Sequence, residues 1–237
     1  MSVAPEHAVA AVIPAKNEAS RIAATIKAVR TVPGVDLVVV VDDGSTDDTQ
    51  TVAAAAGAVV ARHPVNKGKG AAMTTGAAAV ARYDAWREYP SHYLLFVDAD
   101  LEESAVALAP LVAPLAAGEA DMTIAILPPQ RTAGGGRGLV VGLARDGIAD
   151  LTGFTPTQPL SGMRALTREA FEAALPLAAG WGAETGLTID VLRAGLRIQE
   201  VPAELHHRVT GSDWRGQLHR AAQYRDVLRA LVARRRR

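Results

Sequence analysis

Short runs of Val, Ile, Leu and Ala alternate with amphipathic stretches along the first half of the chain. Apolar runs at 8–14, 35–41, 58–61 and 93–97 each precede a segment of helical period, at 19–32, 47–56, 70–87 and 104–117. The runs lack the in-and-out alternation of a half-solvated strand, which predicts strands buried on both faces, as in a parallel sheet covered by helices. The order is βαβα, so the predicted class is α/β. Ligands of such sheets gather at the carboxyl ends of the strands. Lys16, Asn17 and Glu18 follow the first run, Asp42 and Asp43 the second, and Asp98 and Asp100 the fourth. One rim is therefore expected to collect all three clusters.

Beyond residue 120 the pattern is less regular. It predicts a strand at 122–127, a Gly-rich turn at 134–136 leading into a helix that ends at 151, and a loop through Pro156 and Pro159. A short strand at 163–166, helices at 168–175 and 183–194, a strand at 197–201 and a last helix at 214–233 follow.

Composition narrows the class. With 237 residues, 49% hydrophobic and 21% charged, the chain folds around a substantial core, read as one domain with a C-terminal appendage. There is no cysteine, so any metal must be held by oxygen or imidazole. The apolar stretch at 104–118 is shorter than the ~18 residues a membrane helix needs and contains Pro110 and Pro114. No transmembrane helix and no cleavable leader are expected, and the chain reads as cytoplasmic. Residues 205–237 hold nine Arg and two Asp, a balance of +7 that leaves −7 elsewhere. This basic end has two readings, peripheral contact with anionic lipid or phosphate and a solvated helix end. Aromatic residues at 4%, with no basic stripe before the tail, argue against nucleic acid as a partner.

The chemistry sits in the rim clusters. Asp98-Ala99-Asp100 closes an apolar strand, and carboxylates two residues apart at a strand end suit a hard divalent cation, Mg2+ or Mn2+. Asp42-Asp43-Gly44-Ser45-Thr46-Asp47 reads as a strand end, a turn and a helix start. Ser45, Thr46 and Asp47 are expected as caps, and Asp43 as an acceptor for a pyrimidine imide or a ribose hydroxyl. Gly68-Lys69-Gly70 opens a helix without the spacing of a Walker loop, and Lys69 is expected to neutralise a leaving diphosphate or a base. His63, His92 and His219 read as structural or exposed.

Taken together, Val12 to Glu18, Val41 to Asp47, Asn66 to Gly70 and Asp98 to Leu101 resemble, in order, the motifs of family 2 glycosyltransferases with the GT-A fold. The resemblance implies a nucleotide-diphosphosugar donor bound through Pro14, Ala15, Asn17, Glu18, Asp43, Lys69, Asp98 and Ala99, with the cation at Asp98 and Asp100. It divides the chain into a donor-binding half (1–130), an acceptor-binding half of the same domain (131–211) and a basic C-terminal helix (212–237). Gly134 to Arg137, Gln158 to Gly162, Gly180 to Leu187 and His207-Arg208 look like glucosyl-3-phosphoglycerate synthases. That similarity implies an acceptor phosphate at Gly136, Arg137, Ser161 and Gly162, and His207 as a further metal ligand. It also places Glu184 against the donor sugar or acceptor hydroxyl, as base or orienting group, beside Asp100 and Lys69 in catalysis. Leu139 stands where that family has Thr, and Ser161-Gly162-Met163 where it has Ala-Gly-Glu.

Asp98 to Glu102 and Ser161 to Arg164 are also similar to polyprenyl-phosphate glycosyltransferases such as dolichol-phosphate mannose synthase. Glu102 is then either a substitute metal ligand or an acid favoured by a helix N-terminus. The expected partners are a nucleotide-sugar donor and a phosphorylated acceptor, small or lipid, with a homodimer as the candidate assembly. Two rival readings are a sugar-nucleotide nucleotidyltransferase and a non-catalytic sugar-nucleotide-binding domain. The former expects a Gly-rich basic loop where Pro14 to Glu18 stands.

Overall fold

The apolar runs become strands because nothing in them needs water, and the computed structural model describes residues 8–88, 90–128, 138–205 and 214–236. Its elements in chain order are β1 (Val9–Ala15), α1 (Ile22–Val29), β2 (Val35–Asp43), α2 (Thr49–Ala55), β3 (Val59–His63), α3 (Lys69–Arg87) and β4 (Tyr93–Phe96). After them come α4 (Ala113–Ala116), β5 (Met122–Ile126), α5 (Leu139–Thr152), β6 (Arg164–Leu166), α6 (Arg168–Ala173), α7 (Ala183–Arg193), β7 (Ile198–Pro202) and α8 (Trp214–Arg235). Among the described residues the strands form one sheet ordered β3-β2-β1-β4-β6-β5-β7. All pairings are parallel except those of β6, which runs antiparallel to β4 and β5. The fold is α/β of the GT-A kind, as expected.

Each face of the sheet carries its own core. Ile13, Val38, Val40 and Leu95 face α1 and the segment after β4, while Val12, Val39, Leu94 and Phe96 face α3, α6 and α7. At about 25 cal/mol per Å2 of apolar surface these two layers dominate the favourable side of folding. Gly76 of α3 permits the close approach: a Cβ there would lie 2.3 Å from Val12 Cγ1.

Two expectations need correction. The helix read at 104–117 is a 3-10 segment, Glu102–Leu111, followed by the single turn of α4. Pro110 lacks the donor an α-helix would use there, and Pro114 is accepted because it opens α4. The last helix is more than a solvated end. Val227 and Leu231 complete a third core with Ala144, Ile148 and Ile189 of α5 and α7, and the Arg234 guanidinium is buried against the Asp190 carboxylate. Among the described residues no helix is long and apolar enough to cross a membrane.

Candidate active site

The parallel half of the sheet ends its strands on one rim, and two loops there are stapled together. The Asn17 backbone, at φ 57°, donates to Ser45 Oγ at 2.9 Å, and the Asn17 carboxamide accepts the Thr46 N–H at 2.8 Å. The Glu18 N–H donates to Thr49 Oγ1 at 2.8 Å. Asn17, Ser45 and Thr46 thus join loops: Asn17 is not in the cleft wall, and Ser45 and Thr46 do not cap α2. Asp47 does receive the first N–H of that helix, from Thr49 at 3.1 Å. Asp42 is fully buried and accepts from Ser45 N–H at 2.9 Å, a turn-forming role.

Asp43 closes β2 at the position registered with His63 on β3. Its carboxylate accepts the backbone N–H groups of Lys67 and Gly68, both at 2.8 Å, and contacts His63 Nδ1 at 2.7 Å. His63 is buried and touches Thr75 Oγ1 with its other nitrogen at 2.9 Å. Asp43 is therefore fixed at the start of the loop that delivers Lys69.

Lys69 is the electrostatic centre. Its ammonium lies 2.7 Å from Asp98 Oδ1 and 3.0 Å from Glu184 Oε1. Burial alone would weaken its hold on the proton, but the two carboxylates outweigh that cost and keep the ammonium well above the ordinary lysine value. Glu184, on the first turn of α7, has a side chain only 3% exposed and is paired with Lys69. The Glu18 pKa is raised as well, which in a carboxyl favours the neutral form: burial raises it most, the contact with Arg21 offsets only part, and Asp100 adds negative charge beside it.

Around this centre lies a cleft of about 400 Å3 whose wall includes Pro14, Ala15, Glu18, Asp43, Lys69, Asp98, Ala99 and Asp100. Gly180 and Trp181, from the segment that opens α7, share it, and so does Asp226, which has no sequence signal. A second depression of about 360 Å3 meets the first at Asp98 and is lined by Gln158, Ser161 and Gly162 with apolar neighbours such as Leu160 and Met163. The Ser161 hydroxyl is buried there without a hydrogen-bond partner. Beneath that loop Arg164 is completely buried, donating to the carbonyls of Ser161 at 2.9 Å and Pro159 at 3.1 Å and to Thr188 Oγ1 at 2.8 Å. Burial pushes its pKa down to about 10, against the pull of Glu184 and Glu200. Hydropathy hides such a residue, because a guanidinium satisfied by carbonyls looks polar in sequence.

Gly136, Arg137 and His207 lie outside the described residues. Glu102 stands 3.4 Å from Arg21, at the start of the 3-10 segment. No group of three His, Asp or Glu among the described residues is placed to hold a metal unaided. Asp98 and Asp100 nevertheless suit a hard cation that draws its other ligands from a bound diphosphate, with one Asp98 oxygen already committed to Lys69.

The family model described as glycosyl transferase family 2 matches residues 10–173, from β1 through α6. The chain belongs to this family. Within glycosyl transferase family 2 it is 35% identical over 216 residues to glucosyl-3-phosphoglycerate synthase of Mycobacterium tuberculosis, covering 79% of this chain and 62% of the relative. It is 32% identical over 213 residues to glycosyltransferase AglJ of Haloferax volcanii, covering 87% and 65%. The chain thus spans a little over three fifths of the length of these curated relatives. A crystal structure of the M. tuberculosis synthase with Mn2+, UDP and glucosyl-3-phosphoglycerate matches 97% of this chain and 80% of that one, at 31% identity and a TM-score of 0.74. The family match stops short of α7 and α8, so Glu184 and Asp226 lie outside it.

Proposed function

We propose that this chain is a glycosyltransferase that moves a hexose from a nucleoside-diphosphate sugar, of the UDP-glucose or GDP-mannose type, to a phosphorylated acceptor, using Mg2+ or Mn2+. The observation that carries the reading is the meeting of two cavities at Asp98, with the Lys69 ammonium at the junction. A donor in the larger cleft and an acceptor in the smaller would bring their reacting atoms together there. Solved relatives support the assignment: the M. tuberculosis synthase was crystallised with Mn2+, UDP and phosphoglyceric acid, and with Mg2+ and UDP. UDP-glucose and 3-phosphoglycerate are accordingly the first substrates to test, with polyprenyl phosphate as the lipid alternative.

The residues divide the work by position. Pro14 and Ala15 offer backbone and apolar surface to a base, and Asp43 organises the loop beside it. Lys69 stays protonated throughout the working range and opposes the charge of the departing diphosphate. A divalent cation held by Asp98 and Asp100, with His207 as the additional candidate ligand, would supply further positive charge to the same oxygens. Glu184 keeps Lys69 aimed, so the departing phosphate is the acceptor for the proton of a hydroxyl nucleophile; a phosphate nucleophile has none to give. Ser161 and Gly162 present the acceptor side. A nucleotidyltransferase would need a basic Gly-rich loop where Pro14 to Glu18 lies.

The test is calorimetry of UDP-glucose and GDP-mannose on the full chain with and without Mn2+, followed by transfer to 3-phosphoglycerate or polyprenyl phosphate. Metal-dependent binding of one donor and a glycosylated product are expected, both lost in Asp100→Ala. No binding by either donor would overturn the reading.

A further inference from the structure

We propose that Asp226, carried by the last helix from outside the family match, is a donor-binding residue whose carboxylate accepts a hydrogen bond from a hydroxyl of the sugar nucleotide. The inference rests on the donor reading above. It begins with how tightly α8 is registered against the turn that opens α7. Gly180, Gly182 and Gly186 face Asp226, Ala230 and Arg234, spaced one helical turn apart on α8. A Cβ on Gly180 would lie 2.1 Å from Asp226 Oδ2, one on Gly182 2.6 Å from the Asp226 carbonyl, and one on Gly186 2.7 Å from the Arg234 guanidinium. Arg234 is fastened to Asp190 through both carboxylate oxygens, which prevents α8 from sliding.

That register puts the Asp226 side chain, 15% exposed, into the wall of the cleft that holds Asp43, Lys69, Asp98 and Asp100. Its existing contacts are weak. The Trp181 N–H reaches Oδ2 at 3.4 Å, and two arginines that lie mostly in solvent reach Oδ1, Arg225 at 3.2 Å and Arg229 at 4.0 Å. An ionised carboxylate offers about four acceptor positions, so capacity remains for a ligand. The carboxylate itself does not hold a phosphate, since both groups are acceptors and neither has a proton to donate. The group a carboxylate recognises beside a diphosphate is a neutral donor, and a sugar nucleotide carries hydroxyls on its ribose and on its hexose.

The experiment titrates UDP, 2′-deoxy-UDP, 3′-deoxy-UDP and UDP-glucose into the full chain with Mn2+, comparing wild type with Asp226→Ala and Asp226→Asn. Affinity for UDP-glucose is expected to fall about tenfold or more in Asp226→Ala and less in Asp226→Asn, whose amide oxygen can still accept. A ribose contact lowers UDP affinity as well and leaves one deoxy analogue indifferent to the substitution. A hexose contact lowers UDP-glucose alone. Unchanged affinity in both variants would overturn the proposal, and so would tighter binding, which would make Asp226 only a source of repulsion. An equal loss for all four ligands, accompanied by a fall in Tm, would reduce Asp226 to an anchor of α8. Should wild type bind none of them, the donor reading itself fails and takes this inference with it.

Discussion

Gly162 points its missing side chain at the Lys69 ammonium: a Cβ there would lie 2.3 Å from Nζ and 2.9 Å from Asp98 Oδ1. The backbone of the loop before β6 therefore sets where the ammonium can stand. In Gly162→Ala the flexible lysine tip would move aside, so the fold survives while the charge leaves its place. The expected outcome is a kcat lowered about a hundredfold, with Tm within about 2 °C of wild type. Unchanged kcat in steady-state assays would show that the position of Lys69 does not govern the reaction. At this scale the sequence was informative where chemistry follows a strand: Asp43, Asp98 and Asp100 were legible because each ends an apolar run, and Lys69 because it opens a helix behind Gly68. Asn17 is harder to read for the opposite reason: a polar residue in a rim loop is equally suited to ligand and to loop, and its bonds to Ser45 and Thr46 come to light only with the fold.

The last helix shows how an element can be placed correctly along the chain and misjudged in space. Its helical character was plain, but a mean charge set by arginine concealed the apolar positions Val227, Ala230 and Leu231, which are buried. Arg234 belongs with them, its side chain 5% exposed beside Asp190, whereas Arg235 reaches Asp150 in solvent. Breaking a buried pair from one side leaves the other charge desolvated and alone, at a cost of about 3 kcal/mol. Arg234→Ala is therefore expected to lower Tm by roughly 6–12 °C. Removing only residues 236 and 237 is expected to leave it within about 1 °C. Equal effects in thermal melts would mean that the arginines act as undifferentiated surface charge. The reverse misreading occurred at 104–117, where a good helical pattern was divided by Pro110 and Pro114 into a 3-10 segment and one α-turn.

For the whole molecule, the parallel half of the sheet was readable because each buried strand is an unbroken apolar run. The reversal at β6 was not. Three residues cannot display a period, and the strand begins with Arg164, whose burial depends on the carbonyls of Pro159 and Ser161 and on the hydroxyl of the α7 residue Thr188. This second half hangs on protein contacts, and so does the site: Lys69 already balances Asp98 and Glu184, and the described residues hold no metal cluster that the fold would need to close. A divalent cation is then expected as a partner of the donor and not as a structural element. Chelation by EDTA is expected to leave the Tm of the ligand-free protein unchanged. Mn2+ with UDP at a hundred times its Kd is expected to raise Tm by about 5–10 °C, the share of about 2.7 kcal/mol that saturation contributes. In Asp100→Ala the rise should vanish while the ligand-free Tm stays at its wild-type value. A large fall in Tm on chelation alone would make the metal part of the fold, and a UDP-induced rise that ignores Mn2+ and EDTA would remove Asp98 and Asp100 from metal binding and leave Lys69 as the principal positive charge facing the diphosphate.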